Sequence, residues 1–254
     1  DMSKLHASFF RHEEVSRQYL WSDEGSAVSI SIPIGADVPA SKVDVKILPT
    51  SIKAGLKGSL PTVQGMLYQE IDTSESMWQI ERGGKGVQGS KPRTGTLTLH
   101  LWKKAATGIP WPVLVVGPTP DAPEALDATS LYCLGEALES GRPEYGIQMD
   151  SATALRHFAK AADMGCVPAM MRLAQLFSAG AKEGTTMEGL EASPDTSLQL
   201  YRKAAEAGEA WGQLRLAAAL YDPDTIGGKW EQDLGQALAW ARGAAEAGVV
   251  AGFA

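Results

Sequence analysis

The sequence predicts two domains: an all-β antiparallel sandwich of about seven strands, then an all-α solenoid of helical hairpins. Three observations lead there. Up to residue 116 apolar residues alternate with polar ones at period two, as in half-buried strands. Three prolines fall within residues 117–123, where neither strand nor helix can continue. Beyond them an Ala-Ala-x-x-Gly string occurs three times, at Ala161–Gly165, Ala204–Gly208 and Ala244–Gly248, at spacings of 43 and 40 residues.

The strands follow in order. Val28, Ile30 and Ile32 alternate with serines, and Val43, Val45 and Ile47 alternate with Lys42, Asp44 and Lys46. Ile52, Ala54 and Leu56 come after a Pro49-Thr50 turn, and Leu97, Leu99 and Leu101 close the series. Weaker strands are expected at Met66 to Ile71 and Trp78 to Glu81, with Trp78 in the core on the face of Ile80. Gly, Lys, Arg and Ser crowd Gly83 to Gly95, which reads as a long mobile hairpin loop. The domains are therefore a flexible leader at 1–15, the sandwich at 16–116, a stiff connector at 117–124 and helical repeats at 125–254.

Each helical unit pairs an A helix with a B helix. Leu134, Leu173 and Leu216 mark the A helices, each followed by a small residue (Gly135, Ala174, Ala217) and then by Leu138, Phe177 or Leu220. Leu155, Leu198 and Leu238 mark the B helices, ten residues before each closing glycine. Alanine pairs let helices approach closely, and the glycine takes the left-handed turn that stops helix B. One pair cannot bury its own apolar stripe, so units at about 127–165, 166–208 and 209–248 must stack.

Composition limits what the chain does. Its 254 residues are 44% hydrophobic and 21% charged, a globular balance. No stretch approaches the ~18 apolar residues of a spanning helix, because Pro110 and Pro112 interrupt the run from Ile109 to Val116. No membrane insertion is expected, and no secretory leader is visible. The two cysteines, Cys133 and Cys166, are too few for a disulfide scaffold or zinc cage, so a reducing, cytoplasmic setting is expected. Residues 16–116 carry eleven basic against eight acidic side chains, and residues 117–254 carry ten against nineteen. That acidity would repel phosphates, so no nucleic-acid partner is expected.

No motif points to catalysis. His6, His12, His100 and His157 have no metal spacing, and Gly55-Leu56-Lys57-Gly58 lacks the ending of a phosphate loop. Neither a Gly-x-Ser-x-Gly elbow nor a nucleophile–base pairing is present. The expectation is a non-enzyme with no cofactor and no metal.

Family resemblance sharpens this picture. The helical unit resembles the Sel-one-like (Sel1) repeat, a longer relative of the tetratricopeptide repeat, through the leucine, small-residue and Ala-Ala-x-x-Gly positions just named. The first half resembles a CS domain of the nuclear distribution protein C (NudC) type. The likeness is carried by Tyr19-Leu20-Trp21-Ser22, Ile52-Lys53-Ala54-Gly55-Leu56-Lys57-Gly58 and Gly65-Met66-Leu67-Tyr68. Glu75-Ser76-Met77-Trp78-Gln79-Ile80-Glu81, Leu97 to Lys103 and Trp111-Pro112-Val113-Leu114 complete it. The resemblance implies a seven-stranded sandwich without catalysis that works as a chaperone or co-chaperone. Its partners would be heat shock protein 90 or client proteins, and dynein-linked complexes are a further option. The alternative is a structural adaptor for a signalling or degradation complex.

Candidate protein-binding residues come from both halves. Lys57 and Gly58 form either a tight turn with a solvated lysine or part of a client-binding face. Trp102, Lys103, Trp111, Pro112 and Leu114 make up the last strand and terminal segment. There the Trp111 indole either folds back on the sheet or stands exposed as an anchor. Arg172, Gln175, Gln213 and Arg215 line the expected A-helix groove.

Overall fold

A computed structural model describes residues 18–82, 94–105, 110–122, 125–179 and 190–249. The expected leader at 1–15, most of the loop from Gly83 to Gly95, and the stretch past Val249 lie outside these residues. The chain forms two compact units, Asp1–Ala137 and Leu138–Ala254.

The first unit is built on two antiparallel four-stranded sheets. One has the order β1 (Leu20–Asp23), β2 (Ala27–Gly35), β7 (Thr94–Lys103), β6 (Ile71–Arg82). The other runs β3 (Val43–Leu48), β4 (Ser51–Leu56), β5 (Val63–Leu67), β8 (Val115–Gly117). The alternation seen in the sequence is the alternation of burial. Val28, Ile30 and Ile32 pair with Leu101, Leu99 and Leu97, and all six are buried. Met66 to Ile71 is not a strand of its own; β5 ends at Leu67 and β6 begins at Ile71. The eighth strand arises beyond Pro112, where Leu67 pairs with Val115 and Met66 with Gly117. Pro112 removes only its own N–H, so pairing resumes three residues later.

Glycine is required at position 65. Its φ is +146°, and a Cβ there would meet Val115 Cγ1 at 2.4 Å and the Gly117 carbonyl oxygen at 2.7 Å. The β5–β8 contact therefore closes over a bare backbone.

Six α-helices follow among the described residues: α1 (Ala128–Ser140), α2 (Ser151–Asp163), α3 (Val167–Ala179), α4 (Pro194–Glu206), α5 (Ala210–Tyr221) and α6 (Leu234–Glu246). They alternate as the expected A and B helices. Gly165, Gly208 and Gly248 have φ of +88°, +87° and +87°. At each, the glycine N–H donates to the carbonyl three residues back, and the next N–H donates five residues back: Gly165 to Ala162 and Cys166 to Ala161, then Gly208 to Ala205 and Glu209 to Ala204. This is the Schellman turn, made three times from one local string. Close approach is visible where a Cβ on Gly212 of α5 would lie 2.9 Å from Ala204 Cβ and 3.0 Å from the Ala205 nitrogen of α4.

The division between the units falls inside α1, past the proline connector at 117–124. The start of α1 is fastened to the sandwich. Asp127 caps the helix by accepting from the Ser130 N–H (2.8 Å) and Ser130 hydroxyl (2.7 Å), and it also accepts from the Gln64 N–H of β5 (3.2 Å). Tyr19 and Ser130 share a buried hydroxyl–hydroxyl hydrogen bond of 2.9 Å. Burial raises the Asp127 carboxyl above its ordinary range, even though these donors favour its charge.

Candidate protein-binding surfaces

The terminal segment of the sandwich is organised around a buried ion pair. Lys103 closes β7 on the core side, and its Nζ donates to both Asp23 carboxylate oxygens at 2.8 and 2.6 Å. The two side chains are only 1% and 9% exposed. Asp23 also accepts from the backbone N–H groups of Trp111 (2.7 Å) and Gly25 (2.8 Å). Burial pushes the Asp23 carboxyl up, but Lys103 and these N–H donors outweigh it and hold the group below its usual range.

Trp111 folds back over this pair. It is 4% exposed, its indole N–H donates to Gln69 Oε1 at 3.1 Å, and Lys103 Nζ lies 5.6 Å from the ring centroid. Tyr68 meets the ring edge-on at 6.1 Å. Of the two alternatives for this indole, the structure takes the inward one. Lys103 and Leu114 are buried as well and Pro112 is half-buried, so this group lines the core of the sandwich instead of its surface. Asp23, 80 residues before Lys103, accepts from both the Lys103 ammonium and the Trp111 N–H and so draws these two together.

Trp102 points the other way. It alternates with Leu101 and Lys103 onto the outer face of the sheet and is 42% exposed. Below it β6 carries a bulge between Asp72 and Met77. The Ser76 hydroxyl fills the gap, accepting from the Trp102 N–H (3.0 Å) and donating to the Asp72 carbonyl (2.6 Å). Met77 is exposed on the same outer face. Trp78 does share the face of Ile80 and stands opposite buried Leu99, as expected. It is nonetheless 38% exposed, because β6 is the last strand of its sheet and, among the described residues, no strand pairs with its outer edge there.

Lys57 and Gly58 occupy the turn after β4, both exposed, with Gly58 at φ +83°. The Lys57 N–H donates to the Lys42 carbonyl at 2.9 Å, which fixes the turn. Two residues on, Leu60 is 86% exposed, the most open large apolar side chain among the described residues. Sequence reasoning missed Leu60, although its place beside the turn glycine was a signal.

In the helical unit the four groove candidates divide. Arg172 of α3 donates through Nε (2.9 Å) and Nη2 to the two carboxylate oxygens of Glu139, a bidentate pair joining successive A helices. Gln213 of α5 is half-buried: its Nε2 is 3.4 Å from the Ala205 carbonyl, and its Oε1 lies where a Gly243 side chain would stand. Gln175 and Arg215 are exposed. Arg172 and Gln213 thus serve packing between helices, and Gln175 accepts from Arg172 Nη1 at 3.4 Å.

Among the described residues, no group of three or more His, Cys, Asp or Glu is placed to hold a metal ion. Nor is any helix among them long and apolar enough to cross a membrane.

Comparison with known proteins agrees with the first half of this architecture. Residues 17–88 match the family model of the CS domain. Protein BOBBER 1 of Arabidopsis thaliana is 33% identical over 63 residues, covering 25% of this chain and 21% of that protein. The match thus spans about a fifth of the relative's length. Two solved structures are similar over 48% of this chain, each with a TM-score of 0.40. One is c5321, a protective antigen of uropathogenic Escherichia coli strains displaying an SLR fold (29% identity, 23% of that chain). The other is a Sel1 repeat protein from Oxalobacter formigenes (24% identity, 82% of that chain).

Proposed function

We propose that this chain, a CS domain joined to Sel1-type helical hairpins, is a non-enzymatic protein-binding co-chaperone of the NudC type. In this reading the sandwich engages a partly folded client or heat shock protein 90 in the cytoplasm, and the helical repeats hold a second protein. The supporting observation is the division of roles in the sandwich. Its strongest polar constellation, Asp23 with Lys103 and Trp111, is saturated internally. Its open surface instead offers large apolar side chains, Leu60, Met77, Trp78 and Trp102. Buried, mutually satisfied charge stabilises a scaffold, whereas exposed aromatic and aliphatic side chains are what protein interfaces use as anchors. Two binding modules in one chain raise the effective concentration of one partner near the other.

The test is a holding assay with the full chain. Citrate synthase is heated alone and with increasing amounts of the protein, and aggregation is followed by light scattering. Suppression at near-stoichiometric amounts supports the reading. No suppression, together with retained capture of partners from a lysate, favours the structural adaptor.

A further inference from the structure

We propose that the free edge of β6 between Met77 and Arg82 is a strand-addition site. It would take an extended segment of another protein, with apolar residues on one side and basic residues on the other. This rests on the reading of the sandwich as a protein-binding module and specifies how it binds.

The direction of the backbone groups follows from the ladder. Along β7, the N–H groups of Trp102 and Lys104 point toward β6, donating to Ser76 Oγ and to the Glu70 carbonyl, while that of Lys103 points toward β2, donating to Ser26. Even-numbered residues of this strand therefore bond to β6. Their partners are Met77, Gln79 and Glu81, opposite His100, Thr98 and Thr96. Successive residues of a strand direct their N–H and C=O groups to opposite sides, so those of Trp78, Ile80 and Arg82 face outward. Ile71 confirms the parity before the bulge: it pairs with Lys103, and its N–H turns away from β7 to the Pro49 carbonyl. Beyond the bulge, no described strand pairs with β6 on this side.

The other three sheet edges are guarded. β1 has four residues and β8 three, and β3 presents Asp44 and Lys46. Short strands and charged edge residues are ordinary protection against strand addition. β6 runs for twelve residues, and between its bulge and the charged Glu81 and Arg82 at its end it carries four uncharged residues in a row, Met77 to Ile80. An unpaired row of backbone donors and acceptors selects an extended main chain over a helix or a small molecule.

Side chains define the rest of the occupant. Trp78 and Ile80 lie on the core-side face, so an added strand would set its apolar residues beside them. On the opposite, outer face of this stretch the ionisable side chain of β6 is Glu81, with Asp72 and Glu75 preceding it at the bulge, whereas Arg82 closes the stretch on the face of Trp78 and Ile80. Charge complementarity then calls for lysine or arginine on the outer side of the incoming strand.

The probe is a blocked peptide of alternating valine and lysine, about nine residues long to match a strand. Amide exchange of the full chain is followed residue by residue by NMR. At saturating peptide, the amides of Trp78 and Ile80 should exchange at least about tenfold more slowly, with those of Met77 and Gln79 changing little because β7 already holds them. A peptide N-methylated at alternate residues should not protect them, nor should the original peptide protect a Trp78→Lys variant. No binding, protection at another edge, or equal protection by the N-methylated peptide would overturn the proposal. Protection of Trp78 and Ile80 that rises with protein concentration without peptide would also overturn it, in favour of a second copy at this edge. Suppression of aggregation by a chain whose β6 amides stay unprotected would remove this site and leave the holding function standing.

Discussion

Asp23 and Lys103 are 80 residues apart in sequence and 2.6 Å apart in the fold, with both side chains nearly excluded from water. Removing one member of such a pair strands the other charge in the core. Lys103→Met is expected to cost about 3–5 kcal/mol, measured by urea unfolding. Adding Asp23→Leu should recover only part of that loss. It removes the stranded carboxylate but leaves the Trp111 N–H without its acceptor.

Acid should erase this contribution in a defined direction. The Asp23 carboxyl is held below its ordinary value in the folded chain, so the unfolded state binds its proton more readily. Its stabilising effect is complete above the unfolded value of about 3.9 and is lost as pH falls through the lower folded value. Urea midpoints of the natural chain and of Asp23→Asn, taken from pH 7 downward, should therefore converge in acid. A constant gap would contradict the assignment.

Gly212 tests the close approach of α4 and α5. Alanine at an exposed helix position gains about 1 kcal/mol over glycine. Here the new methyl would lie 3.0 Å from the Ala205 nitrogen and 3.1 Å from the Ala204 carbonyl carbon, which are backbone atoms that cannot yield locally. Overpacking of about 1–3 kcal/mol should win, so Gly212→Ala lowers the melting temperature. A rise would mean that the helices can part freely.

Leu60 and Trp102 test the open surface of the sandwich. Because both side chains are exposed, Leu60→Ser with Trp102→Lys should leave the unfolding midpoint within the small range usual for surface changes. The double variant should nevertheless need roughly tenfold more protein to suppress citrate synthase aggregation, equivalent to about 1.4 kcal/mol of lost contact. Unchanged suppression would take these two residues out of the interface.

Local features were the ones legible in the sequence. The three closing glycines could be read because each Schellman turn is made within six consecutive residues, Ala161 to Cys166 for the first. The strands of Val28 and Leu97 could be read because burial on one face writes a period of two. Trp111 could not be decided, since its inward turn depends on Asp23 and Gln69, which no local pattern ties to it. Lys103 reads as a candidate binding residue for the same reason, its partner Asp23 being 80 residues away. Trp78 was placed on the correct face, but its exposure depends on β6 being the outermost strand, which is a property of sheet order. The reach of the sandwich into α1 was hidden because it hangs on Gln64 and Tyr19 meeting Asp127 and Ser130 across more than sixty residues of chain.

The first two glycine turns hand the chain to the next A helix almost at once, from Gly165 to Val167 and from Gly208 to Ala210. The passage from A to B is longer, from Ser140 to Ser151 and from Tyr221 to Leu234. Length variation and grafted reporters are therefore tolerable at one rim of the helical array and ruinous at the other. A fluorophore or cross-linker carried on the A-to-B connections could follow a captured protein without disturbing the spacing of the hairpins.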